Sequence, residues 1–75
     1  MTASRLKRSI TVAGHRTSFS LEPEFWTALQ EAARQEGIAV AAIVAGIDRA
    51  RDGQSLSSAV RVWVLARLTR RTGAA

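Results

Sequence analysis

The chain has 75 residues, no cysteine and a single histidine, which excludes disulfides and thiolate metal sites and leaves a structural metal unexpected. Apolar residues make up 47% and charged residues 23%, a globular balance, and no apolar run approaches the ~20 residues of a membrane span. A domain this small buries only about 60% of its unfolded surface, so its support must come from a tight helical core or a partner chain.

Charge is segregated along the chain, which is +5 overall. Residues 1–21 carry Arg5, Lys7, Arg8 and Arg16 and no acid. Residues 22–58 hold all six acids against Arg34, Arg49 and Arg51, and residues 59–75 carry Arg61, Arg67, Arg70 and Arg71 with no acid. Basic ends around a mildly acidic middle point to a polyanionic partner; solubility alone accounts for them about equally well. No apolar segment follows the first basic residues, so a secretory leader is not expected.

Residues 1–8 read as a flexible basic arm, residues 9–71 as the folded domain and residues 72–75 as a frayed tail. In the run SITV, Ile10 and Val12 share one side of an alternating pattern, and Ala13-Gly14-His15 supplies a turn signal. A second alternating run places Thr17, Phe19 and Leu21 on one face and Arg16, Ser18 and Ser20 on the other. The two runs form either a hairpin or one longer irregular strand. A lone short strand exposes unpaired backbone groups and needs a neighbour. The candidates are SITV of the same chain and the same strand of a second copy.

From Pro23 the period changes. Proline suits the first turn of a helix, Glu22 and Glu24 suit its positive end, and Gly37 suits a left-handed cap, so a helix is predicted over Pro23–Glu36. Val40, Ile43, Val44 and Ile47 recur at helical spacing and predict a second helix over Val40–Asp52. Ser55 or Ser57 is the candidate N-cap of a third, through AVRVWVLARLTRR, although Val60–Val64 also alternates partly like a strand.

The segment RTSFSLEPEFWTALQEAARQEGIAVAAIVAGI, about residues 16–50, resembles the ribbon-helix-helix family of the Arc and methionine-repressor superfamily. The shared pattern is an alternating strand ending in Leu21, a Glu22-Pro23-Glu24 helix start, Gly37-Ile38, and then the Val40/Ile43/Val44/Ile47 stripe. The whole chain, including AGHRTSFSLE and LSSAVRVWVL, also resembles a bacterial subgroup of small ribbon-helix-helix proteins. The resemblance implies a mainly α fold with one short β ribbon, an intertwined homodimer, and here an additional C-terminal helix. Phe19, Leu21, Phe25, Leu29, Ile43 and Ile47 would form the dimer core.

It further implies double-stranded DNA as partner, with Arg16, Ser18 and Ser20 of the ribbon reading bases in the major groove. Backbone phosphates would be met by Ala39, Val40 and Ala41 at the start of the second helix, and by Arg5, Lys7 and Arg8. The run IAVAA lacks the hydroxyl or basic side chain common in that turn, which weakens the clamp. His15 reads first as a solvent-facing turn residue and second as a phosphate contact. Trp26 and Trp63 lie near apolar stripes and read as packing residues rather than base-stacking platforms.

The expected function is that of a bacterial transcriptional regulator, a repressor, in the cytoplasm and on the nucleoid when bound to DNA. The competing readings are an antitoxin-type module whose C-terminal helix binds a protein partner, and a structural dimer without DNA binding. No nucleophile–base–acid arrangement, glycine-rich phosphate loop or metal motif is present, so no catalysis, metal or cofactor is expected.

Overall fold

The computed structural model describes residues 6–12 and 14–72. In chain order the elements are β1 (Leu6–Val12), β2 (His15–Leu21), α1 (Pro23–Glu36), α2 (Val40–Ala50) and α3 (Leu56–Thr72). A two-stranded antiparallel sheet is thus followed by three helices.

The neighbour of β2 is the chain's own β1. The pairs run from Leu6 opposite Leu21 to Val12 opposite His15, so two residues close the hairpin. Gly14 takes φ +83°, a conformation open to glycine at no steric cost. In a two-residue hairpin the pair flanking the turn exchanges ladder hydrogen bonds, and alternate pairs follow suit. The bonded pairs are therefore 12/15, 10/17, 8/19 and 6/21. The backbone groups of residues 7, 9 and 11 on one strand, and 16, 18 and 20 on the other, point away from the ladder. One of them is claimed: the Ser20 N–H donates to Ser57 Oγ at 2.9 Å. The start of α3 therefore closes part of the β2 edge, while Arg16 and Ser18 leave the rest open.

β1 takes in Leu6 to Arg8, which the sequence placed in a flexible arm; alternation simply continues backward from Ile10. Residues 1–5, Arg5 among them, lie outside the described residues, as do residues 73–75 of the expected tail. Toward the helices the hairpin turns Arg8, Ile10, Val12, Thr17, Phe19 and Leu21, with Val12, Phe19 and Leu21 buried. Of the six residues expected to form a dimer core, Phe19, Leu21, Leu29, Ile43 and Ile47 are buried and Phe25 is half-buried. That burial is reached within one chain.

α1 begins and ends where its local signals place it. Glu22 is extended, its carbonyl accepts the Trp26 N–H at 3.0 Å, and Pro23 fills a position with no N–H to satisfy. At the other end Gly37 takes φ +70°, and the N–H groups of Gly37 and Ile38 bond the carbonyls of Arg34 and Ala33 at 3.2 and 3.1 Å. α2 stops at Ala50, two residues before the expected Asp52. Arg51 turns extended there, with its guanidinium bonded to Asp48 Oδ1 at 2.6 Å and the Gln54 carbonyl at 2.8 Å. Ser55 caps α3 by accepting the Ser58 N–H at 3.1 Å. The ambiguous run Val60–Val64 is helical, because Leu56, Ala59, Val60 and Val64 all reach the core at helical spacing.

α2 lies against β1, α1 and α3 lie against β2, and α2 and α3 touch each other. Leu21, Leu29, Val44 and Val60, one from each of β2, α1, α2 and α3, are fully buried. Each contributes about 1.5–3 kcal/mol by leaving water.

The Ser20–Ser57 bond makes a specific demand. Ser57→Ala leaves the Ser20 N–H without its acceptor and lowers stability by about 1 kcal/mol. Amide exchange at Ser20 accelerates while exchange at Phe19, inside the ladder, follows global stability alone. Unchanged exchange at Ser20 refutes this role for Ser57.

Candidate nucleic-acid interface

The hairpin's other face consists of Lys7, Ser9 and Thr11 on β1 and Arg16, Ser18 and Ser20 on β2. Five are exposed and Ser20 is half-buried. The cross-strand pairs are Lys7 with Ser20, Ser9 with Ser18 and Thr11 with Arg16. These are the non-hydrogen-bonded positions of the ladder, where facing side chains come closest. The Ser9 and Ser18 hydroxyls accordingly bond each other, Oγ to Oγ at 3.1 Å. Lys7 and Arg16 stand on opposite strands near opposite ends. The face is thus hydroxyl-rich in the middle and cationic at two corners.

No acid lies on the described hairpin, and most acids elsewhere are engaged on the helices. Glu22 accepts Arg61 Nε at 3.0 Å, Glu36 accepts Arg67 Nη1 at 2.8 Å, Asp48 accepts Arg51, and Glu31 accepts Arg34. The Glu31 bond and charge hold the exposed Arg34 guanidinium above its ordinary pKa. Among the described residues Lys7 and Arg16 have no ion-pair partner, so their charge is available to an outside anion.

The three residues expected to read bases, Arg16, Ser18 and Ser20, share this face, and Lys7 joins them from β1. His15 is exposed beside the turn. Ala39 is the extended N-cap residue of α2 and has no side-chain cap bond. Its carbonyl takes the N–H groups of Ala42 and Ile43 at 3.0 and 3.3 Å. The N–H groups of Val40 and Ala41 remain donors without a partner in the helix. Arg8 differs most from expectation. It is a strand residue on the helix side of the hairpin, with its guanidinium carbon 4.4 Å from the centre of the Trp26 ring. Its neighbour Lys7 turns the other way.

Ser9 and Thr11 belong to the face only because the hairpin forms, and the alternation of SITV was their signal. Ser57 and Arg61 left no such signal. They hold Ser20 and Glu22 across 37 and 39 residues of sequence, at the junction of β2 with α1.

α3 also has an outer side. Val62, Leu65 and Leu68 are 57%, 61% and 46% exposed, an apolar stripe on the surface of a basic helix. Among the described residues no helix is long and apolar enough to cross a membrane, and no three acids or histidines come together as a metal site.

A family model described as a ribbon-helix-helix domain matches residues 5–68, and the chain belongs to the ribbon-helix-helix family. Domains of this family are commonly found in DNA-binding regulators and are typically non-enzymatic. The matched span runs from the hairpin well into α3, so most of the third helix lies within the matched domain. No curated protein and no solved structure matches the chain significantly.

The Arg61–Glu22 pair is partly exposed, with side chains at 24% and 34%, so its expected worth is about 0.5–1 kcal/mol. A double-mutant cycle of Arg61→Gln and Glu22→Gln, read by thermal unfolding, should return a coupling of that size. A coupling near zero would remove the pair from the account of the β2–α1 junction.

Proposed function

We propose that the chain binds double-stranded DNA by seating the outer face of its hairpin in the major groove. The observation that carries this reading is the composition of that face: six polar residues, two of them unpaired cations, and no acid. A major groove about 12 Å wide admits a two-stranded ribbon. Arg16 gives a bidentate contact to guanine O6 and N7, and Ser18 and Ser20 add less selective contacts. Ser9 and Thr11 widen the reading surface once the Ser9–Ser18 bond is exchanged for bonds to bases. Lys7 and His15 meet backbone phosphates, and the free N–H groups of Val40 and Ala41 offer a weak anion site at the start of α2.

The chain acts as a homodimer on a two-fold-related site. It serves as a bacterial transcriptional regulator, a repressor, working in the cytoplasm and on the nucleoid by occupying its operator. Because one chain contains a whole ribbon, each copy fills one groove. Half-sites then lie about one helical turn apart, roughly 10–10.5 base pairs.

Selection of bound duplexes from a random pool at moderate salt tests binding, specificity and half-site spacing together. Arg16→Ala should flatten preference at one position of each half-site, a loss of about 1–3 kcal/mol there. Lys7→Ala should weaken every duplex alike and reduce the salt slope by about 1. If the unaltered chain retains no duplex even at low salt, the proposal is wrong.

The exposed Val62/Leu65/Leu68 stripe favours a second reading, a protein contact through α3. Leu65→Gln with Leu68→Gln leaves the buried side of α3 intact. If these changes lower the oligomeric state or release a co-purifying partner while duplex binding persists, α3 makes that contact. If mass in solution and binding are both unchanged, the stripe is solvent-facing surface.

A further inference from the structure

We infer that Arg8 and Trp26 form a phosphate-binding site beside the ribbon, in which Trp26 holds the Arg8 guanidinium flat for a phosphodiester of the bound duplex. This rests on the DNA-binding reading, and it adds a contact from the side of the hairpin that faces the helices.

Among the described residues there are two Arg–Trp stacks, and they differ in how the guanidinium is completed. Arg67 lies 5.9 Å from the centre of the Trp63 ring and is completed by acceptors, with Nη1 on Glu36 at 2.8 Å and Nη2 on Gln35 at 3.0 Å. Arg8 lies closer to its ring, at 4.4 Å, and has no acceptor among the described residues. Its Nε is the one buried side-chain polar atom there that has no hydrogen-bond partner. A buried donor left unmet costs about 1–3 kcal/mol, and more on a charged group. The buried Nε–H is therefore an unmet donor, and the charge that carries it has no acceptor among the described residues until an anion arrives.

The geometry says where the anion sits. Only Nε is covered; the two terminal nitrogens bond no described residue and are not buried. They form a planar fork, the shape that takes two oxygens of a phosphate. The stack restricts the rotation of a side chain that would otherwise lose much freedom on binding. Arg8 also leaves from β1, whose outer edge carries no further strand among the described residues. When a ribbon lies in the major groove, its edges face the phosphate walls. Lys7 and Arg8 are consecutive and turn to opposite faces of β1, so Lys7 faces the groove and Arg8 meets a phosphate only beyond the groove, from the helix side.

The test uses the full chain with Trp63→Phe, which leaves Trp26 as the sole tryptophan, and the duplex recovered by selection. Addition of duplex should change Trp26 emission, and Arg8→Met should abolish that change. Arg8→Met, which keeps a stem to cover the ring, should weaken all duplexes about tenfold, as loss of a charged hydrogen-bonded contact does. It should also lower the salt slope by about 1 and leave base preference untouched. Wild-type affinity and slope in Arg8→Met, with silent Trp26 emission, overturn the site and make the stack purely structural.

If Arg8→Met does not fold, Arg8→Lys decides instead. Weaker binding supports the fork, because lysine keeps the charge and loses the plane; full affinity overturns it. Failure of the DNA reading shows separately, as absence of binding by the unaltered chain to any duplex. Pyrophosphate then becomes the probe. A saturable change in Trp26 emission that Arg8→Met removes retains the anion site, and no change overturns it.

Discussion

The register of one hairpin governs everything else in this molecule. Val12 lies opposite His15, and every pair down to Leu6 and Leu21 follows from that closure. Because side chains in a strand alternate strictly, a slip of one residue would turn all of β1 over. Ile10 and Val12 would move into water, and Lys7, Ser9 and Thr11 would move against the helices. The observed register is the one in which the two strands' patterns agree. It sends Phe19 and Leu21 to the core on β2 and Val12 to the core on β1, and leaves a face with no apolar side chain. Gly14, at φ +83°, takes its own part in so tight a closure at no steric cost.

The helices keep that register by gripping β2 more than β1. Ser57 takes the Ser20 N–H, and Arg61 reaches Glu22 just beyond the strand. Both come from the first turns of α3. Beneath them Leu21, Leu29, Val44 and Val60 meet with no solvent exposure, each from a different element. A 75-residue chain has little core to distribute, so closing it through four elements at once ties the ribbon to all three helices. Removing α3 would take away Leu56, Ala59, Val60 and Val64 together with the cap on the β2 edge. α3 is thus as much part of the fold as α1, in keeping with the extent of the family match.

What could be read in the sequence was what local chemistry determines. Pro23 and Gly37 marked both ends of α1, since a first-turn proline and a left-handed glycine act at their own positions. Arg16, Ser18 and Ser20 fell on one face because period two requires it. The identity of the strand's neighbour was not legible, since alternation specifies a face and says nothing of which strand lies alongside. The end of α2 was missed because it depends on where the Arg51 guanidinium reaches, to Asp48 and the Gln54 carbonyl. Arg8 is a different kind of miss. It stands two residues before Ile10, so extending the alternation backward places it on the core face. Its charge, set among other charges, made it look like part of an arm.

That misplacement shows how charge is organised here. On and beside the helices four of the six acids pair with arginines: Glu22 with Arg61, Glu31 with Arg34, Glu36 with Arg67 and Asp48 with Arg51. The hairpin holds cations and no acid to pair them. A field from unpaired charge at one end of a small protein is not cancelled by neutral pairs elsewhere, so the ribbon keeps its positive potential although six acids lie in the same chain. Lys7 and Arg16 extend that potential across the outer face, and Arg8 adds to it from the side that faces the helices. Both strands come from one chain, so the whole of this surface is assembled when the hairpin closes. No second copy is needed to complete it, as one would be in a ribbon shared between two chains.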